Sequence, residues 1–498
     1  MTDRPPDTAL AEAPTVPSRD DPIVATASQA IGGAWGRHAG AGQWWTPLRV
    51  LLAFTCVTLV LAYLQKAPCA SGDWVGNKQY THVCYSDIVP LWGAEGLDVG
   101  AVPYRDHAVE YPVLTGGFMW LTSGLTHLLD SAIPALTDAQ LFALLSCVLL
   151  AICGLLMVAG TVGAAGRRPY DAALVALSPL LVFHAFSNWD LFAMAFTSCA
   201  LWAWARNRPV AAGSLIGLGA AAKLYPGLLL LPIWILAART HRYREATWAT
   251  VTVILVWCAV NVPVAVAYPS GWWEFYRFSA DRPTEASTFW AIGHYLSNIG
   301  FFGNGYATAW TPPGIAVIAA VIAGLAVVVL LGLGAPTRPR MAQLAFLVVL
   351  AFLLTTKVWS PQYSVWLVPL VALARPRWGL NLLWQFSEIA VWIATLLWLL
   401  GYYDSARGLD YGALMILLLV RDGLLIAIAV LVVREMWHPE LDLVRSGGMD
   451  DPCGGPFDSA PDQFVVPLRV PAALRPAPVT GPAETTPPGP EDPPTPSG

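Results

Sequence analysis

Apolar runs long enough to cross a bilayer recur from residue 46 to about 433 and predict an all-α polytopic membrane protein. The composition agrees. The 498-residue chain is 56% hydrophobic and only 12% charged, where a soluble domain carries roughly a quarter. The runs are also continuous, without the apolar–polar alternation of a membrane β-barrel. A net charge of −5 with no basic block excludes a nucleic-acid partner.

Three parts are expected. Residues 1–45 are polar and rich in Pro, Asp, Thr and Ala, and read as a disordered tail with no cleavable signal. Residues 46–433 form the membrane domain, and residues 434–498 a second, Pro-rich disordered tail. Expected spans are 46–65, 138–165, 171–187, 189–205, 209–223, 224–238, 246–267, 313–334, 341–356, 361–375, 379–400 and 411–433.

Arginine placement orients them. Arg167-Arg168, Arg206/Arg208, Arg239/Arg242/Arg244, Arg338/Arg340 and Arg375/Arg377 fall in short connections that alternate with Arg-poor ones, and these read as cytoplasmic. The apolar stretch 112–128 would break this parity if it crossed, so it is expected as a juxtamembrane or re-entrant helix. Twelve crossings then leave both tails in the cytoplasm. Long loops at 66–137 and 268–312 lie outside, with three short polar corners. The corners are Ser187-Asn188-Trp189-Asp190, Lys223-Leu224-Tyr225-Pro226, and Lys357 through Tyr363.

The unexpected polar residues gather on that outer side. Asp87 follows the first span, where a carboxylate can act as a general base without being buried in lipid. Capping the short helix that follows Ser86-Asp87 is an equal reading. Glu110, before Tyr111-Pro112, can bind sugar hydroxyls or hold a cation, or simply favour a helix N-terminus. Asp190 can orient a sugar or start its helix. His184 can donate to a phosphate or pack as a satisfied core residue.

Lysine occurs only at Lys66, Lys78, Lys223 and Lys357. With abundant Ala, this usage fits a GC-rich, actinobacterial genome. Lys223 and Lys357 each close an apolar run with Pro soon after. A compact ammonium there suits a phosphate, and snorkelling is the plainer role. The second loop sets Trp272, Trp273, Phe275, Tyr276 and Trp290 among polar residues, with Arg282 and His294 as candidate phosphate or acceptor contacts. Aromatics there suit sugar faces or a membrane-interface belt. Glu388 and Arg421-Asp422 lie within spans and can pair with one another, or Arg421 can face a cavity. Of eight Cys, Cys69 and Cys84 share the first loop, as a disulfide or as two free thiols.

Together these features resemble the GT-C glycosyltransferases, and within them glycosyltransferase family 87, over roughly residues 46–433. The resemblance rests on Asp87 after span one, on Glu110-Tyr111-Pro112, and on Ala220-Ala221-Ala222-Lys223-Leu224-Tyr225-Pro226, which is similar to an Ala-x-x-Lys-(Leu/Phe)-x-Pro signature. The chain departs where the family often has Gly-Gln-x-Asn, carrying Ser187-Asn188-Trp189-Asp190, and where a second Pro is replaced by Val113.

The resemblance implies a GT-C-like bundle. It implies a polyprenyl-phosphate-sugar donor, with mannose the expected sugar, used on the outer face of the cytoplasmic membrane with inversion. Asp87 becomes the catalytic base. Lys223 becomes a cavity cation. The residues' own chemistry, apart from the resemblance, adds Lys357 and Arg282 to Lys223 as candidate donor-phosphate contacts, and Glu110, Tyr111, Asp190, His184, His294, Tyr225, Trp359 and Gln362 as candidate substrate contacts. No cofactor or metal site is required, although a divalent cation is compatible. A cell-envelope glycolipid or polysaccharide is the expected acceptor. A lipid-linked-sugar flippase, or a non-catalytic scaffold for envelope assembly, are the alternatives. Charge clustered outside the bundle rather than along a path through it favours surface chemistry over transport.

Overall fold

A computed structural model describes residues 45–72, 74–299 and 312–467. The N-terminal tail, residues 300–311 of the second loop and residues 468–498 lie outside the described residues. The described chain is helical, without strands apart from one bridge between Pro103 and His107.

Each expected span is helical. Among the described residues, six helices are long and apolar enough to cross a membrane. They are α1 (Pro47–Lys66), α4 (Asp138–Ala164), α9 (Tyr243–Ala267), α12 (Gly314–Gly334), α15 (Trp378–Leu400) and α16 (Tyr411–Trp437). The others are shorter: α6 (Asp190–Ala205), α7 (Pro209–Ala222), α8 (Leu230–Thr240), α13 (Met341–Thr355) and α14 (Leu367–Ala374). The segment 171–187 is a chain of short pieces ending in α5 (Pro179–His184). Pro179 lacks the N–H that would continue the preceding turn, so the helix restarts there with Ser178 as its cap.

The first loop holds α2 (Ile88–Ala94) and α3 (Val113–Leu129), and the second holds α10 (Pro269–Asp281) and α11 (Phe289–Ile299). The 112–128 stretch is thus a 17-residue helix. It packs beside α4 and α7.

Local chemistry sets the helix ends. Thr137 and Gln140 form a reciprocal capping box at α4, and Asp410 accepts from the Gly412 N–H at α16. Packing then ranks the helices. α14 is buried along its whole length, whereas α12 fully buries only Val328, Gly332 and Gly334 and leaves Ile315, Ile318, Ile322, Val327 and Leu330 exposed on an apolar outer face that suits lipid. Helices α4 and α6 approach closely because Gly160 has no side chain. A Cβ there would lie 2.6 Å from the Ser198 carbonyl carbon.

Cys69 and Cys84 are bridged, with their Cα atoms 5.7 Å apart. The bridge ties the end of α1 to the stretch before α2 that carries Asp87.

The second tail departs from expectation. The chain does not become a free tail at residue 434: α16 continues to Trp437, and residues 438–467 fold back against the arginine-bearing ends of the helices. Arg340, 1% exposed, pairs with Asp442 at 2.7 Å and donates to the Leu373 and Ala374 carbonyls. Arg239 pairs with Asp462 at 2.7 Å, Arg338 with Asp450, and Arg375 with Glu435. Cys453 and Phe457 are buried, and Trp204 Nε1 donates to the Gly454 carbonyl. Composition suggested disorder because Pro, Gly and Asp are frequent there. The acidic residues instead neutralise arginines that orientation alone seemed to explain.

Candidate active site

Four backbone interruptions at one end of the bundle meet around a cavity of about 620 Å³. The first is the turn before α2. Asp87 N–H donates to the Ser187 carbonyl (2.8 Å), and Ser86 Oγ donates to the Phe186 carbonyl (2.7 Å). These bonds fasten the first loop onto the second interruption, between α5 and α6. The third is the end of α7, where Lys223 turns extended (φ −158°, ψ 137°). The fourth follows α13, where Thr356 turns extended and Pro361 opens a new turn.

Asp87 lies in the cavity wall. Asn188 Nδ2 donates to Asp87 Oδ2 at 2.8 Å and to the Tyr111 hydroxyl at 2.8 Å. The amide cannot flip without loss, because Asn188 Oδ1 accepts from the Trp189 N–H at 2.6 Å. Tyr85 also hydrogen-bonds to Asp87, and the neighbouring charge pushes its phenol up, so it stays a donor. Gln362 Nε2 stands 3.5 Å from the same carboxylate oxygen. Burial raises the Asp87 carboxyl above the ordinary carboxylate range, while the Asn188 and Tyr85 bonds and the Lys223 and Arg282 charges pull the other way. Burial likewise raises Glu110, with Arg282 opposing. The capping role weighed for Asp87 is not taken up: its side chain does not cap α2.

The cations differ in how they are held. Lys223 Nζ meets Asp190 Oδ1 at 2.7 Å and stands 4.6 Å from the Tyr363 ring centroid. Asp190 is itself 1% exposed and accepts from Trp366 Nε1 at 2.7 Å, so it reaches the cavity only through Lys223. Arg282 pairs with Glu285 at 3.3 Å, and Ser360 Oγ donates to the same Glu285 oxygen at 3.0 Å. The Glu285 N–H donates to the Lys357 carbonyl (3.0 Å), and Ser287 Oγ to the Trp359 carbonyl. The second loop is therefore laced to the 357–363 corner, which fixes Arg282. Lys357 Nζ donates to the Ala280 carbonyl at 2.6 Å, at the end of α10.

Glu110, Tyr111, Tyr225 and Gln362 line the cavity with Asp87, Lys223, Arg282 and Lys357. Tyr225 stacks on Trp366, with ring centroids 4.2 Å apart. Besides Asp190, three expected contacts are not in the wall. His184, 1% exposed, packs edge-on against Trp392 inside the bundle. His294 lies half-buried on α11. Trp359 is buried beneath the Arg421 guanidinium, 3.8 Å from its ring centroid. Arg421 does not face the cavity. It pairs with Asp422 at 2.6 Å, approaches Glu388 at 3.7 Å and donates to the Ser287 carbonyl.

Sequence reasoning passed over Asn188, Tyr85 and Glu285 as site residues. Asn188 was visible in its polar corner but read as helix-start chemistry. Nothing in the spacing of Tyr85 or Glu285 marks them, because their partners are distant in sequence. Among the described residues no group of three or more His, Cys, Asp or Glu side chains is gathered to hold a metal ion.

The site therefore sets a buried carboxylate beside two paired cations, Lys223 and Arg282, in a cavity whose wall mixes polar side chains with apolar ones such as Leu224, Phe278, Val317 and Phe352. Residues 111–361, just over half of the chain, match the model of glycosyltransferase family 87. The chain belongs to glycosyltransferase family 87. The protein is a membrane glycosyltransferase. No curated relative matches the chain. The family match covers Tyr111, Asn188, Lys223, Arg282 and Lys357 but stops short of Asp87, Glu110 and Gln362. The hydrogen bond from Asn188 joins Asp87 to the matched region of the glycosyltransferase.

Proposed function

We propose that this glycosyltransferase moves mannose from a polyprenyl-phosphate donor to a cell-envelope glycolipid or polysaccharide, on the extracytoplasmic face of the bacterial cytoplasmic membrane. The observation that carries the reading is one cavity holding Asp87 together with Lys223 and Arg282, flanked by an apolar wall of Leu224, Phe278, Val317 and Phe352. A phosphate tethered to a lipid needs cations within reach and an apolar flank for its tail.

In this reading the acceptor hydroxyl attacks C1 of the sugar. The new bond is acceptor oxygen to C1, and the bond that breaks is C1 to the phosphate oxygen. The electron pair leaves with polyprenyl phosphate, and the hydroxyl proton passes to Asp87 as general base. Attack opposite the leaving phosphate inverts the anomeric centre. Arg282 and Lys223 offset the charge that develops on the phosphate. Both are paired in the resting site, Arg282 with Glu285 and Lys223 with Asp190. The phosphate thus shares these cations with carboxylates, which positions them and tempers ground-state binding. With two cations on hand, the mechanism does not call for a divalent ion.

A flippase is less well supported. The charges within the spans, Glu388, Arg421 and Asp422, bind one another and are absent from the cavity wall.

The test is transfer of radiolabelled mannose from polyprenyl-phosphate-mannose to membrane lipid extract by purified protein. Product with wild type and none with Asp87→Asn is expected. Absence of product with wild type would overturn the mannose donor and turn attention to polyprenyl-phosphate-arabinose.

A further inference from the structure

The cavity has a second wall that the donor does not use. Trp392, Thr395, Leu396 and Leu399 of α15 line it. Their spacing, i, i+3, i+4 and i+7, puts all four on one helical face. The opposite side of α15, with Val391, Ala394 and Trp398, packs against Tyr411, Leu414 and Leu418 of α16.

This wall differs from the cationic one in chemistry. Lys223, Arg282 and Lys357 come from the end of α7, the end of α10 and the corner after α13, whereas α15 brings no charged side chain to the cavity. It does bring two polar atoms without partners. Trp392 Nε1 and Thr395 Oγ1 are buried, at residues 4% and 8% exposed, and neither has a hydrogen-bond partner. Buried donors without partners are uncommon and costly, so each needs an explanation in the bound or hydrated state. Tyr85 links the wall to the base: its ring meets Trp392 edge-on at 6.2 Å, and it hydrogen-bonds to Asp87.

We propose that the α15 wall is the acceptor subsite, and that it receives an uncharged sugar terminus. The inference rests on the transferase reading above. In that reading the phosphate lies at Lys223 and Arg282, and the attacking hydroxyl must come from the other side of the sugar while touching Asp87. The α15 wall, joined to Asp87 through Tyr85 and bringing no charged side chain of its own, meets that requirement. Its chemistry then selects the ligand. Trp392 Nε1 and Thr395 Oγ1 donate to sugar oxygens, and the rings of Trp392 and Tyr85 offer faces to the apolar side of a pyranose. Leu399, half-buried, extends the wall with apolar surface, which suits an acceptor whose sugar carries a lipid. A phosphorylated or carboxylated terminus would meet no cation in this wall: Lys66, whose Nζ lies 5.4 Å from the Trp392 ring centroid and donates to the Tyr85 carbonyl, is not among the cavity-lining residues.

The test uses the full-length protein in detergent and a simple probe, octyl α-mannoside, with its 6-phosphate as the charged counterpart. Binding is measured by calorimetry without donor, and transfer is measured separately with polyprenyl-phosphate-mannose. Thr395→Val keeps the shape and removes one donor. Trp392→Phe keeps an aromatic ring and removes the other. Each is expected to weaken octyl mannoside binding, and to raise its KM, about three- to tenfold, the effect of one hydrogen bond. The KM for the donor should change less than twofold, and the 6-phosphate should bind no better than the neutral probe. Equal binding by wild type and Thr395→Val, a change confined to the donor KM, or tighter binding of the 6-phosphate would each overturn the subsite. Octyl mannoside that binds wild type and is weakened by Thr395→Val, yet is never glycosylated, would instead count against the transferase reading and leave the subsite standing.

Discussion

The Asn188 side-chain amide donates at 2.8 Å to both the Asp87 carboxylate and the Tyr111 hydroxyl, although the three residues come from three separate segments. Its carbonyl is held by the Trp189 N–H, so the amide nitrogen always faces the carboxylate. Tyr111, accepting from Asn188, keeps its own proton for a substrate oxygen. Asn188→Ala should therefore lower kcat by about ten- to a hundredfold, since a hydrogen bond to a charged group is worth about 1.5–3 kcal/mol. Donor KM should move much less. A drop in affinity with kcat intact would assign Asn188 to binding rather than to positioning Asp87.

The pH profile carries the sign of the Asp87 shift. Burial raises its carboxyl, and a general base works only when ionised. Activity should fall as pH falls through that raised value, with the acidic limb above the usual range for aspartate, near 4. Asn188→Asp places a second carboxylate against Asp87 and should move the limb further up. A limb at the ordinary aspartate value in wild type would separate Asp87 from the rate-limiting proton transfer.

Lys223 and Asp190 form a buried pair, so removing one partner strands the other. Lys223→Ala should weaken donor binding and also destabilise the protein by about 3–5 kcal/mol, because a carboxylate would be left without its cation. Lys223→Ala with Asp190→Asn should recover much of the stability and none of the donor affinity. Thermal unfolding and donor KM, measured on the same samples, separate the two effects. Recovery of donor affinity in the double variant would remove Lys223 from phosphate binding.

At the opposite end of the helices, Arg340 is fully enclosed by Asp442 and two carbonyls. Arg340→Ala should cost about 3–5 kcal/mol for the same reason, without a change in KM for either substrate. Its loss in thermal stability should be insensitive to salt, since the pair is shielded from solvent. A salt-dependent or negligible effect would argue that residues 438–467 are loosely attached in the membrane-bound protein.

Reduction of the Cys69–Cys84 bridge tests the first loop. The bridge closes a loop of 15 residues, for which chain entropy predicts a contribution of about 3 kcal/mol. Reductant, or Cys69→Ser with Cys84→Ser, should lower the unfolding temperature and loosen Asp87, so kcat should drop with the stability. Full activity after reduction would show that the Ser86 and Asp87 bonds to Phe186 and Ser187 hold the loop by themselves.

The sequence by itself determined the helices. Apolar run length, Pro placement and polar corners are local signals, and every expected span is helical, with Lys223 and Lys357 where runs stop and Asp87 in the loop after the first. It also supplied the family resemblance, because the Ala-Ala-Ala-Lys-Leu-Tyr-Pro stretch is contiguous. The tertiary structure decided which polar residues share a cavity. Asn188 is a hundred residues from Asp87 and Gln362 is 275 away, and no periodicity records such a distance. It also withdrew His184 and His294 from the cavity wall, since the rotation of a helix about its axis depends on its neighbours, and Trp359, which the corner after α13 turns beneath Arg421. It turned part of a Pro-rich tail into a packed segment, because Asp442, Asp450 and Asp462 find buried arginines that composition cannot pair with them.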